Sequence, residues 1–210
     1  MSHDDENNYR YSAELLADCH LDFGEIVPLS FISEQVSQDK YSFHTPTLIL
    51  SFPTQRLNHS VDMSPQLQDI GLSLANLFHT HAYFQQKRVL WVASGDLAHS
   101  HVPWGPYGYN PAADRYEDAI KAWIKAINTQ RLLNSSWSDV EEEQAAGAMS
   151  CGFTGLAMIH GVMRSTCKEW RSHLYELLVP TYYGMMVSSW SRVKNHYRWF
   201  EDNEVVSIPK

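Results

Sequence analysis

Long apolar runs are absent from this chain: no stretch approaches the roughly 18–20 residues a helix needs to cross a bilayer. Basic charge is scarce, with 16 Lys and Arg against 24 Asp and Glu and a formal net charge of −8. A polyanion is repelled by that field and no Lys/Arg run offsets it locally, so nucleic acid and anionic membrane surfaces are excluded as main partners. Cysteine is sparse too. Cys19, Cys151 and Cys167 are odd in number and form no CxxC pair, which leaves neither a disulfide framework nor a zinc ribbon. A leader that is basic and then apolar is also missing, because Met1–Asn8 is polar and acidic, and the expected location is the cytoplasm. No phosphate-binding loop is present: Gly105 and Gly108 follow a turn and carry no Lys-Ser/Thr pair after them.

What remains is ordinary globular composition, 44% hydrophobic and 19% charged over 210 residues. That length suits one domain with a sizeable core, expected over residues 9–210 behind a disordered tail at 1–8. Tyr9–Cys19 reads as a short helix and Gln35–Thr45 as a polar connector. Ile26–Ile32 is apolar but contains Pro28, which fits a helix beginning near that proline or an edge segment better than a central strand. Thr47–Phe52 and Lys87–Ala93 have the profile of buried strands, and Pro65–Phe84 between them repeats apolar residues at three- and four-residue steps. Ser64 would cap that helix, with Pro65 at its first position. Strand, helix, strand predicts a right-handed parallel crossover.

A second helix is expected over Asp114–Leu133, with Tyr116, Ala119, Ile120, Trp123, Ile124 and Ile127 on one face. Acidic Asp139–Glu143 suits a helix start, where carboxylates meet the positive dipole end. The small residues of Gly152–Met163 would let a helix pack closely on a sheet. Tyr175–Pro180 and Tyr183–Ser189 read as strands. The expected fold class is therefore α/β: a single domain with a mixed, mostly parallel sheet and helices on both faces.

In such sheets ligand groups gather beyond the carboxyl ends of strands. The expected strand ending at Ala93 runs into Ser94, Gly95, Asp96 and His99. A turn at Gly95 would let Asp96 and His99 face one crevice, and an imidazole beside a carboxylate is a versatile acid/base pair near neutral pH. These two are the candidate catalytic residues, although Asp96 could equally cap a turn and His99 sit in the core. Ser94, Gly95 and Tyr107, the last within the Gly-, Pro- and aromatic-rich loop Pro103–Pro111, are candidate substrate contacts for a planar apolar molecule. Ser94 lacks the G-x-S-x-G context of a hydrolase nucleophile. His79 and His81 diverge on a helix and cannot chelate one ion together. His99 and His101 could share a face if extended, but no further ligand stands nearby in sequence. Glu141–Glu143 reads as a solvated face rather than a metal site.

The segment Val92–His99, followed by Gly105–Pro111, resembles the class III extradiol ring-cleavage dioxygenases of the protocatechuate 4,5-dioxygenase catalytic-subunit type. Leu21–Leu29 is similar to that family's Asp-His-Gly-x-x-Val-Pro-Leu segment. Ala148–Phe153 with Ile159–Gly161 resembles its Cys-Gly helix, and Val179–Val187 its closing glycine-tyrosine strand. The resemblance implies a ferrous ion held by two histidines and a carboxylate, a catecholic substrate, and His99 as the acid/base histidine outside the metal's ligands. Phe23 stands where the family has a substrate-handling histidine, and Ser150 where an acidic residue precedes Cys-Gly; Cys151 is the one candidate metal ligand.

Neither iron histidine has a match. Only residues 1–21 precede the Leu21–Leu29 motif's aspartate, and His3 and His20 stand in no similar context, so the expectation is an N-terminally shortened homologue. The resemblance thus implies a degenerate, non-catalytic domain that binds a small aromatic molecule, or that forms homo-oligomers or pairs with an intact homologous subunit. The alternative is an iron-dependent ring-cleaving dioxygenase whose ligands assemble unconventionally. An iron cofactor is expected only under this alternative.

Overall fold

A computed structural model describes residues 21, 23–36, 46–51, 54–129, 133–164 and 170–192. The expected tail at 1–8, the helix Tyr9–Cys19, most of the connector Gln35–Thr45, and His3, His20, Cys19 and Cys167 lie outside them. Two compact units are present, residues 1–53 and 54–210. In the first, α1 spans Phe23–Val36 and carries Pro28 inside it. That proline has no N–H to give the Gly24 carbonyl, a local cost to the helix. Thr47–Ser51 belongs to no β-ladder.

The second unit begins with a 3-10 segment, Thr54–Met63, leading into α2, Ser64–Thr80, and a short α3, Ala82–Gln85. The expected single helix Pro65–Phe84 is thus broken at His81, whose ψ of 125° is extended. Ser64 is not the cap expected of it: the cap position is Met63, and the Ser64 hydroxyl bonds the Glu141 carboxylate in the interior. Helices α4 (Ala112–Thr129), α5 (Leu133–Glu143) and α6 (Phe153–Arg164) follow, with a π-type segment at Gln144–Ala148. The Asn110 side chain caps α4 by accepting from the Ala112 N–H at 2.9 Å. All six apolar residues expected to face inwards on α4 are buried.

Acidic Asp139–Glu143 ends α5 instead of starting it. Carboxylates at a negative dipole end need other partners, and two have them. Glu143 takes Arg115 at 2.8 Å, and Glu141 accepts from Trp137 Nε1 at 2.9 Å. α6 does carry the small residues expected for close packing, but it packs against α2, not a sheet. A Cβ on Gly71 would strike the Met158 carbonyl and one on Gly161 the Gln68 carbonyl, so the two backbones cross in direct contact. Aromatic rings fill the space between α4, α5 and α6: Trp137 stacks on His160 at 4.9 Å and meets Trp123 edge-on at 5.2 Å.

Among the described residues there is one sheet, the antiparallel pair β1 (Trp170–Leu178) and β2 (Met185–Arg192), with a register shift between Leu174 and Glu176. The two late strands were expected within a few residues of these bounds. The mixed helix and strand content is that of an α/β chain, whereas the expected parallel sheet and the Thr47–Ala93 crossover are not formed among the described residues. Lys87–Ala93 enters no ladder, and Val89, Leu90 and Val92 are 43%, 74% and 52% exposed. An apolar run predicts a strand only through its wish for burial. The strand itself exists where a second backbone supplies hydrogen bonds, and that is not a property of the run.

Candidate functional site

The segment Asp96–His101 threads between two loops of the second unit, and that threading creates the site. On one side Gly152 N–H and the Ser150 hydroxyl both donate to the Asp96 carbonyl, at 2.8 and 2.9 Å, and His99 N–H donates to Ala148 O at 2.8 Å. On the other, Leu97 N–H donates to Gly184 O and Gly184 N–H to Ala98 O, both at 2.8 Å. Leu97, Ala98, His99 and Ser100 are buried as a result. Gly95 is needed for closeness: a Cβ there would lie 2.6 Å from the Gly152 Cα.

This fastening brings together three residues that sequence reasoning singled out. Asp96 Oδ2 and Cys151 Sγ both face the same ring nitrogen of His99, Nε2, at 3.3 and 3.9 Å. The Asp96 backbone N–H also donates to Cys151 Sγ at 3.1 Å. His99 Nδ1 is buried without a partner among the described residues. Burial alone would lower the His99 pKa, but hydrogen bonds and charge from Asp96 and Cys151 outweigh it and raise the imidazole from 6.5 to about 9. A nucleophilic triad needs its base to bind the nucleophile through one nitrogen and its orienting carboxylate through the other. Here both partners share one nitrogen, so the arrangement is a convergent donor cluster. Its three ligand atoms lie within 4.8 Å of one another.

Tyr107 lies nearly parallel to the His99 ring, 5.5 Å away at 25°, and is 45% exposed. Tyr182 and Tyr183 meet the same ring edge-on at 5.9 and 6.2 Å. Ser94 and Gly95 line a cleft of about 210 Å³ together with Leu97, Leu156, Met186 and Trp190. Gly95 and Gly152, both on that cleft, are the immediate chain neighbours of Asp96 and Cys151. Phe23 opens α1 in the first unit and is 76% exposed.

Sequence reasoning missed Tyr182 and Tyr183 as partners of His99, and it missed a second ionisable group. His101 Nδ1 lies 3.2 Å from Asp114 Oδ1, and its Nε2 lies 3.1 Å from Glu117 Oε1, with the side chains of His101 and Glu117 each only 4% exposed. Burial raises the Glu117 carboxyl from 4.5 to about 7, against the opposing pull of His101. The signal for Asp114 and Glu117 was present as an i,i+3 acidic pair on α4. Nothing in the sequence connected that pair to His101.

Residues 7–187 match the family model of the catalytic LigB subunit of aromatic ring-opening dioxygenase. The chain belongs to the LigB family. A relative, Protein CA_C1420 of Clostridium acetobutylicum, is 23% identical to it over 168 residues, which is 79% of this chain and 31% of that protein. The LigB-type chain thus spans less than a third of that relative's length. No helix among its described residues is long and apolar enough to cross a membrane.

The ferrous site that the resemblance implies uses two imidazoles and a carboxylate. The converging cluster in this LigB-type chain offers one imidazole, one carboxylate and one thiol, the one such group among the described residues. That donor set does not fit the ferrous site.

Proposed function

We propose that this LigB-family domain binds a small aromatic molecule beside the Asp96–His99–Cys151 cluster and does not open the ring itself. The observation that carries the reading is the donor cluster. It keeps an acid/base pair, Asp96 and His99, while no group among the described residues joins two imidazoles to a carboxylate as oxygen activation would need. The neighbouring cleft supports a ligand of one ring. At about 210 Å³ it falls below the roughly 300–1,000 Å³ of pockets for larger ligands. Tyr107 offers a half-exposed aromatic face at its side of the cluster, and Ser94 a hydroxyl within the cleft.

Self-association is the second part of the proposal. Val89, Leu90 and Val92 expose apolar surface on a segment that belongs to no ladder, and such surface invites association with a second copy.

The test is calorimetric titration of the chelator-treated full chain with catechol, phenol and benzoate, followed by oxygen uptake after anaerobic loading with ferrous iron. Saturable binding of one ring per chain with no catechol-dependent oxygen uptake is expected. Uptake with a ring-opened product would establish the dioxygenase reading in its place. Absence of binding by all three probes would remove the aromatic-ligand reading.

A further inference from the structure

We infer that Glu117 and His101 are positioning residues for the aromatic-ligand site: paired beneath the Ala98 backbone and braced against Gly184, they set how closely Tyr182 and Tyr183 flank His99. This role presupposes the aromatic-ligand reading of the site, whereas the brace itself does not.

The contacts run in an unbroken series from the surface to the site. Asp114, exposed in the first turn of α4, places Oδ1 3.2 Å from His101 Nδ1. His101 Nε2 lies 3.1 Å from Glu117 Oε1, and the same oxygen accepts from the Ala98 N–H at 3.3 Å. Ala98 O accepts from the Gly184 N–H at 2.8 Å, and Tyr182 O from the His101 N–H at 3.4 Å. Glu117 thus holds the threaded segment from one side while the turn Tyr182–Gly184 holds it from the other. The two meet at Gly184, where a β-carbon would strike the Glu117 carboxylate.

Tyr182 and Tyr183 stand on that turn, edge-on to His99. Tyr182 is also pressed against the loop that carries Tyr107, since a β-carbon on Gly105 would lie 2.8 Å from the Tyr182 Cβ. A shift of the turn is therefore felt by all three rings around His99.

The two carboxylates face opposite nitrogens of the His101 ring, so they do not converge on one point as metal ligands would. Nor is the pair a fully satisfied ion pair. Glu117 Oε2 is buried without a partner among the described residues, at a cost to stability. Perturbed buried carboxylates of this kind concentrate at functional sites. Burial raises the Glu117 carboxyl to about 7, although His101 and the Ala98 N–H pull it down. The ionised form accepts more strongly from both groups, so the brace tightens as pH rises through that value. The ionisable groups that meet Glu117, directly or through His101, are His101 itself on the threaded segment and Asp114, Tyr116 and Lys121 on α4. The turn meets it through the Gly184 backbone.

The experiment follows the reduced, chelator-treated full chain from about pH 6 to about pH 8 by two readouts. Amide exchange of Ala98 and Gly184, corrected for the intrinsic rate, reports the brace without a ligand. Calorimetric titration with phenol reports the site. Phenol, like tyrosine, ionises at about 10 and His99 at about 9, so both largely keep their protons over this range. Amide protection should rise through about pH 7. Phenol affinity should rise with it by roughly two- to tenfold, the worth of one strengthened hydrogen bond. Glu117→Gln, shown to be folded by circular dichroism, should bind phenol without that inflection. The inference is overturned by wild-type protection without an inflection, or by phenol affinity that stays flat while protection changes. It is also overturned by an inflection that Glu117→Gln retains, which would belong to another group such as His101. Protection that inflects in a chain binding no phenol would remove the aromatic-ligand reading and leave the brace standing. The wild-type profiles decide the matter even if Glu117→Gln fails to fold.

Discussion

The backbone N–H of Asp96 donates to the sulfur of Cys151 at 3.1 Å, joining two residues 55 positions apart in the chain. Behind that bond lies a contact of glycine on glycine. Gly95 and Gly152 precede and follow the bonded pair, and neither has room for a β-carbon.

Adding that carbon should disrupt the site. In Gly152→Ala the new Cβ would lie 2.8 Å from the Asp96 carbonyl oxygen. Overpacking of this kind costs about 1–3 kcal/mol. Urea unfolding should show that loss. Catechol affinity should fall with it, because Asp96 and Cys151 are pushed apart. An unchanged midpoint would mean that the loops yield freely.

Tyr107→Ala separates ligand binding from stability. The ring is 45% exposed, so the fold should lose less than about 1 kcal/mol. An aromatic stacking pair is worth about 0.5–1.5 kcal/mol, which corresponds to a roughly 2–10-fold weaker affinity for catechol. Calorimetry that finds wild-type affinity in this variant would place the aromatic ligand elsewhere.

His160 predicts an acid-sensitive core. Its Nδ1 accepts from Trp123 Nε1 at 3.1 Å, and burial, aided by the Arg164 charge, lowers its pKa from 6.5 to about 3. A base whose pKa is lowered in the folded state leaves the unfolded chain holding the extra proton between those values. Its contribution is therefore present above pH 6.5 and lost as pH falls through 3. Relative to His160→Gln, wild-type stability should fall by about 1.4 kcal/mol for each pH unit in that window. Parallel pH profiles for the two proteins would refute this.

Glu117 predicts the opposite slope. Its folded-state pKa is raised from 4.5 to about 7, so the folded chain holds the extra proton between those values. The associated stability is present below pH 4.5 and lost as pH rises through 7. Compared with Glu117→Gln, wild type should lose about 1.4 kcal/mol per pH unit across that interval. Between pH 4.5 and 6.5 the Glu117 and His160 slopes oppose each other, and the wild-type profile should show a plateau there. Denaturant midpoints at four or five pH values decide the matter.

Leu90→Lys tests self-association. Leu90 is 74% exposed, so the substitution should leave monomer stability within about 0.5 kcal/mol. Light scattering should report a shift towards monomer. A wild-type chain that is already monomeric at high concentration would end this part of the proposal.

The pieces that the sequence made legible are those with local causes. Helical periodicity placed the buried face of α4, from Tyr116 to Ile127, because burial on a helix repeats with the turn. The segment Val92–His99 was recognisable as a motif, and its aspartate and histidine do meet. Cys151 was visible only through the resemblance, as the residue before a glycine, and its position against His99 depends on two loops that no local pattern relates.

Other features depended on partners distant in the chain. Asp139–Glu143 looked like a helix start by dipole reasoning alone. It is a helix end where Arg115, Ser64 and Gln68 satisfy Glu143 and Glu141 from elsewhere in the chain, with Trp137 of the same helix adding a bond to Glu141. The small residues of Gly152–Met163 announced close packing, yet whether against sheet or helix depended on which element came to lie opposite.

The amino-acid order by itself determined family, helix faces and the chemical identity of the site's groups, since these follow from residue type and spacing. Tertiary structure alone decided which apolar runs acquire a ladder partner, which carboxylates are buried, and that Asp96 and Cys151 converge on one nitrogen of His99. Each of those outcomes requires a second segment of backbone to arrive within hydrogen-bonding distance, and no stretch of sequence carries that information about its neighbour.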